Sequence, residues 1–255
     1  MLKHFINLKI SQFLGHFSFK LNAFCLFHKE KGEIKMVLNL IFLGPPGAGK
    51  GSVAQAAVEK YGLVQVSTGD LIRAEVASGS DFGKELKVII NEGRLVSDEQ
   101  VEEMLENKLK ELIASEVFKG FILDGFPRTI PQAEELENIL KRIGQELRAV
   151  IYIESDEEAI VQRIISRRTC RACSKVYNLV TNPPEIEGKC SCGGELYQRD
   201  DEKEEIVRDR YKVYLEKTAP LINFYKEKDL LKSYDGNVPL KESIDTALKI
   251  IEELQ

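Results

Sequence analysis

Lys50 lies in the run Gly44-Pro45-Pro46-Gly47-Ala48-Gly49-Lys50-Gly51-Ser52. Glycines at that spacing let successive backbone N–H groups turn inward with no Cβ in the way, and those donors converge on phosphate oxygens at a helix N-terminus. Lys50 adds a mobile positive charge, so the chemistry is phosphate binding. The usual loop places Ser or Thr directly after the lysine, where its hydroxyl reaches magnesium, whereas here Gly51 intervenes and Ser52 comes one place late. That shift favours an ion held by phosphates, water and a carboxylate from another segment.

Two further clusters suit the same chemistry. Ser67-Thr68-Gly69-Asp70-Leu71-Ile72-Arg73 sets a hydroxyl and an acid before a helix, with an arginine about one turn inside. Capping accounts for Ser67, Thr68 or Asp70. An arginine close to a positive helix end calls for an anion nearby. Asp124-Gly125-Phe126-Pro127-Arg128, followed by Gln132, joins an acid able to hold magnesium through water to a guanidinium fork suited to phosphate. A plain Gly-Pro turn is the competing explanation of that segment.

Arg163, Arg167 and Arg168 precede a segment of different composition, and Arg199, Arg208 and Arg210 follow it, so closing that segment gathers arginines at one place. Asp200, Asp201 and Glu202 stand beside Arg199 to pair with some of them. Within the segment, Cys170-x-x-Cys173 and Cys190-x-Cys192 have the look of a four-thiolate zinc knuckle, with one residue between the second pair where two are usual. A disulfide or unpaired thiols are the alternatives, and a cytosolic setting disfavours the disulfide. Cys25 stands apart from this group.

These residues must be positioned by elements. Short apolar runs at 37–43, 63–66, 121–124, 149–153 and 230–233 alternate with helix-period stretches. The pattern predicts an α/β fold: a doubly wound, parallel five-stranded sheet between helical layers, with ligands at the carboxyl ends of the strands. Between 169 and 198 the apolar periodicity gives way to paired prolines, glycines and cysteines, which we read as a small inserted subdomain. A last helix runs over residues 240–254.

The 255 residues, 43% of them hydrophobic, can bury a substantial core. A net charge of −5 argues against a dedicated nucleic-acid binder. Residues 1–35 differ in kind, holding six of the twelve Phe, all three His and six Lys against two Glu. Without them the chain has 30 Lys and Arg against 39 Asp and Glu and no histidine, so no histidine base can act there. Ile6, Ile10, Phe13, Leu14, Phe17, Leu21 and Phe24 recur at helical spacing, although the segment lacks the roughly 18 continuous apolar residues of a membrane span. We read 1–35 as an extension outside the fold, with upstream sequence before Met36, a presequence and a functional tail as its three explanations.

From Met36 onward the chain resembles the long-lid adenylate kinases of bacteria, in the nucleoside monophosphate kinase family. The resemblance rests on GPPGAGKGS, STGDLIR, GRLVSDE, DGFPRT and RDDEKEEIVRDR occurring in that order. It implies Mg-dependent phosphoryl transfer from ATP to AMP giving two ADP, by a cytoplasmic monomer with a structural zinc in the lid. It implies a core over 36–168, with AMP-binding helices at about 66–96, a lid over 169–198 and a core remainder over 199–255. Gly44 to Ser52, Arg163, Arg167 and Val238 would bind ATP. Thr68, Arg73, Arg94, Leu95, Val96, Gly125, Arg128, Gln132, Arg199 and Arg210 would bind AMP. Lys50, Arg128, Arg167, Arg199 and Arg210 would surround the transferring phosphoryl, with Asp124 orienting magnesium and Cys170, Cys173, Cys190 and Cys192 holding zinc. No nucleic-acid or membrane partner is implied. A UMP or CMP kinase of the same family is the near alternative, against which Thr68 and the long lid weigh. A P-loop regulatory binding module with a zinc knuckle is the distant one.

Overall fold

The computed structural model describes residues 27–30, 33–91, 96–173, 175–199 and 202–255. The periodic residues between 6 and 24 lie outside this set. An antiparallel hairpin, β1 (Phe27–Glu30) and β2 (Glu33–Met36), comes first. The five expected strands follow as β3 (Leu40–Leu43), β4 (Val64–Ser67), β5 (Phe121–Asp124), β6 (Ala149–Glu154) and β10 (Leu231–Asp235). They pair in the order β10-β6-β3-β5-β4, all parallel.

Parallel strands need crossover helices on both faces, so the three inner strands β3, β5 and β6 are apolar almost throughout, whereas the edge strands carry polar residues, Gln65 and Ser67 in β4 and Lys232 and Ser233 in β10. Leu40 and Phe42 of β3 face one core, with Ala54 and Ala57 of helix α1 (Lys50–Tyr61) and with Ala247 and Ile251 of the last helix. Ile41 and Leu43 face the other, built with α4 (Asp98–Ile113), α5 (Ile130–Arg142) and α8 (Pro220–Glu227). Between α1 and α4 lie α2 (Thr68–Ser78) and α3 (Asp81–Asn91). The chain winds from central β3 to β4 at one edge, then back across to β6 and β10. The winding therefore switches direction at β3, and the crevice outside its carboxyl end is where ligands bind in such sheets.

After α6 (Glu157–Ile165) the chain forms a separate antiparallel sheet in which β7 (Arg167–Cys170) lies between β8 (Val176–Asn178) and β9 (Leu196–Tyr197). Helix α7 (Glu204–Val213) then runs into a π turn, Tyr214–Thr218, before α8, and α9 (Leu240–Glu253) ends the chain. Among the described residues, no helix is long and apolar enough to cross a membrane.

The first core strand is shorter than its apolar run. Leu38 N–H donates to the Lys119 carbonyl at 2.9 Å, and the Asn39 carbonyl accepts from Arg148 N at 2.8 Å, so residues 37–39 are tied to loops and the ladder begins at Leu40. Asn39 is fully buried, and its Nδ2 donates to Gln145 Oε1 at 2.8 Å and to the Glu146 carbonyl at 2.9 Å. Asn39→Ala removes the buried donor to Gln145 Oε1 and the Glu146 carbonyl, a loss of roughly 1–3 kcal/mol. We expect a lower urea midpoint at unchanged slope, and an unchanged midpoint would contradict the role of this amide.

Candidate active site

The phosphate loop joins β3 to α1. Gly47 (φ 88°) and Gly49 (φ 94°) take left-handed backbone, and a Cβ on Gly47 would stand 2.8 Å from Ile164, so both turns require glycine. Helix α1 begins at Lys50 with no side-chain cap and no acid in its first turn, which leaves its N–H groups and dipole open to an anion. Lys50 Nζ folds back on the loop, donating to the Gly44 carbonyl at 2.7 Å and the Pro45 carbonyl at 2.9 Å. Burial pushes its ammonium down to about 8, with Asp124 opposing the shift and Arg128 and Arg210 adding to it. Ser52 is exposed and borders the same cleft.

Asp124 ends β5 beside β3, where Gln65 Nε2 donates to its Oδ2 at 3.1 Å. The next residues hold Arg128 by its main chain and its side chain. Arg128 Nε donates to the Gly125 carbonyl at 2.8 Å, and Arg128 N–H donates to Gln132 Oε1 at 2.7 Å. Gln132 Nε2 in turn donates to Asp98 Oδ1 at 2.6 Å, and Thr129 caps α5. Ser67 caps α2, so Thr68 is free of that task, and its hydroxyl reaches the Gly125 carbonyl at 3.4 Å. The anion that Arg73 calls for is already supplied by its own helix: Asp70 pairs with it, so its position alone does not demand a ligand.

The structure sorts the six arginines around the inserted segment. Arg163, Arg167, Arg199 and Arg210 border the cleft, Arg163 donating to the Gly236 carbonyl at 2.6 Å. Arg168 instead donates to the Ile165 carbonyl at 2.9 Å at the end of α6, and Arg208 pairs with Glu157, Glu158 and Glu204. Those two are structural. Glu202 is wholly buried and takes Arg167 Nε at 2.8 Å and Arg199 N–H at 3.2 Å, so one carboxylate anchors two cleft arginines. Its neighbours Asp200 and Asp201 lie outside the described residues.

The four cysteines of the insert come together, with all sulfurs within 4.8 Å of one another. Cys170 and Cys192 stand 3.6 Å apart, Cys173 and Cys190 3.5 Å, and Cys173 and Cys192 3.4 Å. A tetrahedral zinc with bonds of about 2.3 Å sets its sulfurs about 3.8 Å apart, so the thiols fit that ion. The contracted second pair is accommodated by glycine. A Cβ on Gly194 would meet Cys170 Sγ at 2.7 Å and Ala172 at 2.8 Å. Buried Tyr177 supports the knuckle, its hydroxyl 3.4 Å from Cys190 Sγ and accepting from Ser191 N–H at 3.0 Å.

One cleft of about 1650 Å³ gathers these parts. Every residue of the phosphate loop except Pro45 borders it, as do Thr68, Arg73, Asp124, Gly125, Arg128 and Val238. Pro45 and Gln132 are buried behind it, and Val96 is half-buried outside it, before α4. Arg94 and Leu95 lie outside the described residues. Gln65, Gly194 and Thr218 carry no motif in the sequence, and Asp98, though inside GRLVSDE, was assigned no role there, because each acts by supporting another site residue.

The sequence pattern of adenylate kinases matches residues 42–230. An adenylate kinase of Fervidobacterium nodosum is 50% identical over 215 residues, 84% of this chain and 95% of the relative. One from Archaeoglobus fulgidus is 48% identical over 219 residues, 86% of this chain and all of the relative. One from Thermosipho melanesiensis is 46% identical over 215 residues, covering 99% of its length. With the phosphate loop, the cleft arginines and the four-thiol cluster in one fold, these matches lead to one conclusion: the chain belongs to the adenylate kinase family.

Proposed function

We propose that the chain interconverts Mg·ATP and AMP with two ADP in this cleft, with Gly44 to Ser52 holding the donor phosphates. The observation that carries the reading is the shared border of the phosphate loop, the Thr68–Arg73 helix start and five further arginines on one space. Phosphoryl transfer passes through a loose, in-line transition state that needs positioning and charge more than a strong base, which suits a site without histidine.

Lys50 gives up two loop carbonyls for phosphate oxygens. Arg128, Arg167, Arg199 and Arg210 surround the group in transit. Thr68, Arg73, Gly125 and Gln132 receive AMP, with Arg94, Leu95 and Val96 forming its base pocket, while Arg163 and Val238 take the ATP adenine. Magnesium supplies charge neutralisation on the phosphates. Asp124, with one oxygen engaged by Gln65, is suited to hold the ion's water. The segment 169–198 is read as a lid that excludes water from the reacting phosphoryl, stiffened by zinc on its four thiols. Those four thiols form no disulfide, which supports a reducing compartment such as the cytoplasm. The negative net charge supports small-molecule partners over nucleic acid.

A coupled assay with Mg·ATP and each nucleoside monophosphate should give ADP from AMP far faster than from UMP or CMP. No ADP from AMP, or preference for a pyrimidine, contradicts the reading. Lys50→Ala and Arg128→Ala each remove preorganised charge, so each should lower kcat at least about 100-fold. A near-normal rate in either would remove that residue from the transfer step. Purified protein should carry about one zinc, and chelation should lower its Tm. Absence of zinc together with a Tm indifferent to chelator would count against the lid site.

A further inference from the structure

We propose that Thr218 is a positioning residue for Arg128, acting through the main chain; the proposal rests on the role given to Arg128 above. Three groups hold this arginine. Gln132, in the first turn of α5, takes its N–H and Gly125, in the β5–α5 connection, takes its Nε, so both are local to Arg128 in the chain. Its carbonyl accepts from Thr218 Oγ1 at 2.9 Å, across 90 residues of chain.

Thr218 closes the π turn 214–218, in which Ala219 N–H donates to the Tyr214 carbonyl at 2.9 Å. Threonine in an ordinary helix bonds back to a carbonyl of the preceding turn. Here the widened turn aims the hydroxyl out of its own helix and onto the Arg128 peptide. π-Bulges of this kind recur at functional sites, and this one directly follows α7, which carries Arg210. Arg128, Arg210 and Thr218 border the same cleft. The Thr218 hydroxyl therefore fixes the loop bearing one cleft arginine against the segment bearing another. Two cations meant to converge on one phosphoryl must hold a mutual distance, and an error of about 1 Å in such a site costs on the order of 100-fold in rate.

The test compares Thr218→Val, which keeps the shape and loses the donor, with Thr218→Ser, which keeps the donor. Steady-state kinetics with Mg·ATP and AMP should show kcat of Thr218→Val reduced about 10-fold, with both KM values changed less than about 3-fold. Thr218→Ser should recover kcat to within about 2-fold. In an Arg128→Ala background, Thr218→Val should add almost nothing, because its effect passes through the missing guanidinium. Three results overturn the proposal: unaltered kcat in Thr218→Val, a serine variant as impaired as the valine one, or the full valine effect persisting without Arg128. If Arg128→Ala is impaired while Thr218→Val is not, Thr218 alone is misassigned. If Arg128→Ala itself is normal, the reading of the transfer site falls first.

Discussion

The structure depends on keeping positive charge assembled before any phosphate arrives. Lys50, Arg128, Arg167, Arg199 and Arg210 border one cleft, and the carboxylates on that border are Asp124 and Asp209. Pairing every cation with a surface acid would neutralise the site. The chain instead uses neutral oxygens where it can: Gly44 and Pro45 carbonyls for Lys50, the Gly125 carbonyl for Arg128 and the Gly236 carbonyl for Arg163. Carbonyls orient a cation without cancelling its charge. Glu202, the one wholly buried carboxylate among the described residues, sits behind the cleft and anchors Arg167 and Arg199 together. Burial of the Lys50 ammonium, more than the nearby Arg128 and Arg210, pushes it down to about 8.

The fold supplies the places from which these groups converge. A parallel sheet presents all its carboxyl ends at one edge, so the phosphate loop after β3 and Asp124 at the end of β5 are neighbours by topology, although some seventy residues of chain separate them. The first-wound helices approach from the β4 side, and the insert with its arginines enters after β6. Side-chain tethers then join segments that topology merely brings close, such as Gln132 to Asp98 and Thr218 to the Arg128 carbonyl.

Much of this was legible in the sequence. The three inner strands were readable because both their faces are buried, which makes short continuous apolar runs, as Leu40–Leu43 shows with all four residues buried, while the edge strands β4 and β10, broken by Gln65 and Lys232, left a weaker mark. The phosphate loop and the cysteine cluster were readable because glycine at positive φ and thiolate spacing leave compositional marks. The beginning of β3 was misjudged by three residues, because Val37 and Leu38 are as apolar as the strand while their hydrogen bonds go to loops. Arg73 was credited with needing a ligand when Asp70, three residues before it, already pairs with it. Arg168 and Arg208 could not be told from the cleft arginines, since direction around a hinge is a tertiary property. For the same reason the supporting residues Gln65 and Thr218 were invisible, and Asp98, quoted within GRLVSDE, showed no role: the importance of each lies in what folds against it.

The central claim is that the cleft keeps Lys50 buried and held by neutral carbonyls until a phosphate chain supplies its counter-charge. The most direct measurement is NMR titration of the Lys50 side-chain ammonium in labelled protein, without and with a non-hydrolysable ATP analogue. In the free protein the midpoint should lie near 8, well under the ordinary lysine value of 10.5. Bound phosphates should raise it by at least about one unit, so that between those two midpoints binding takes up a proton. A free-protein midpoint at the ordinary value, unmoved by the nucleotide, would contradict the account.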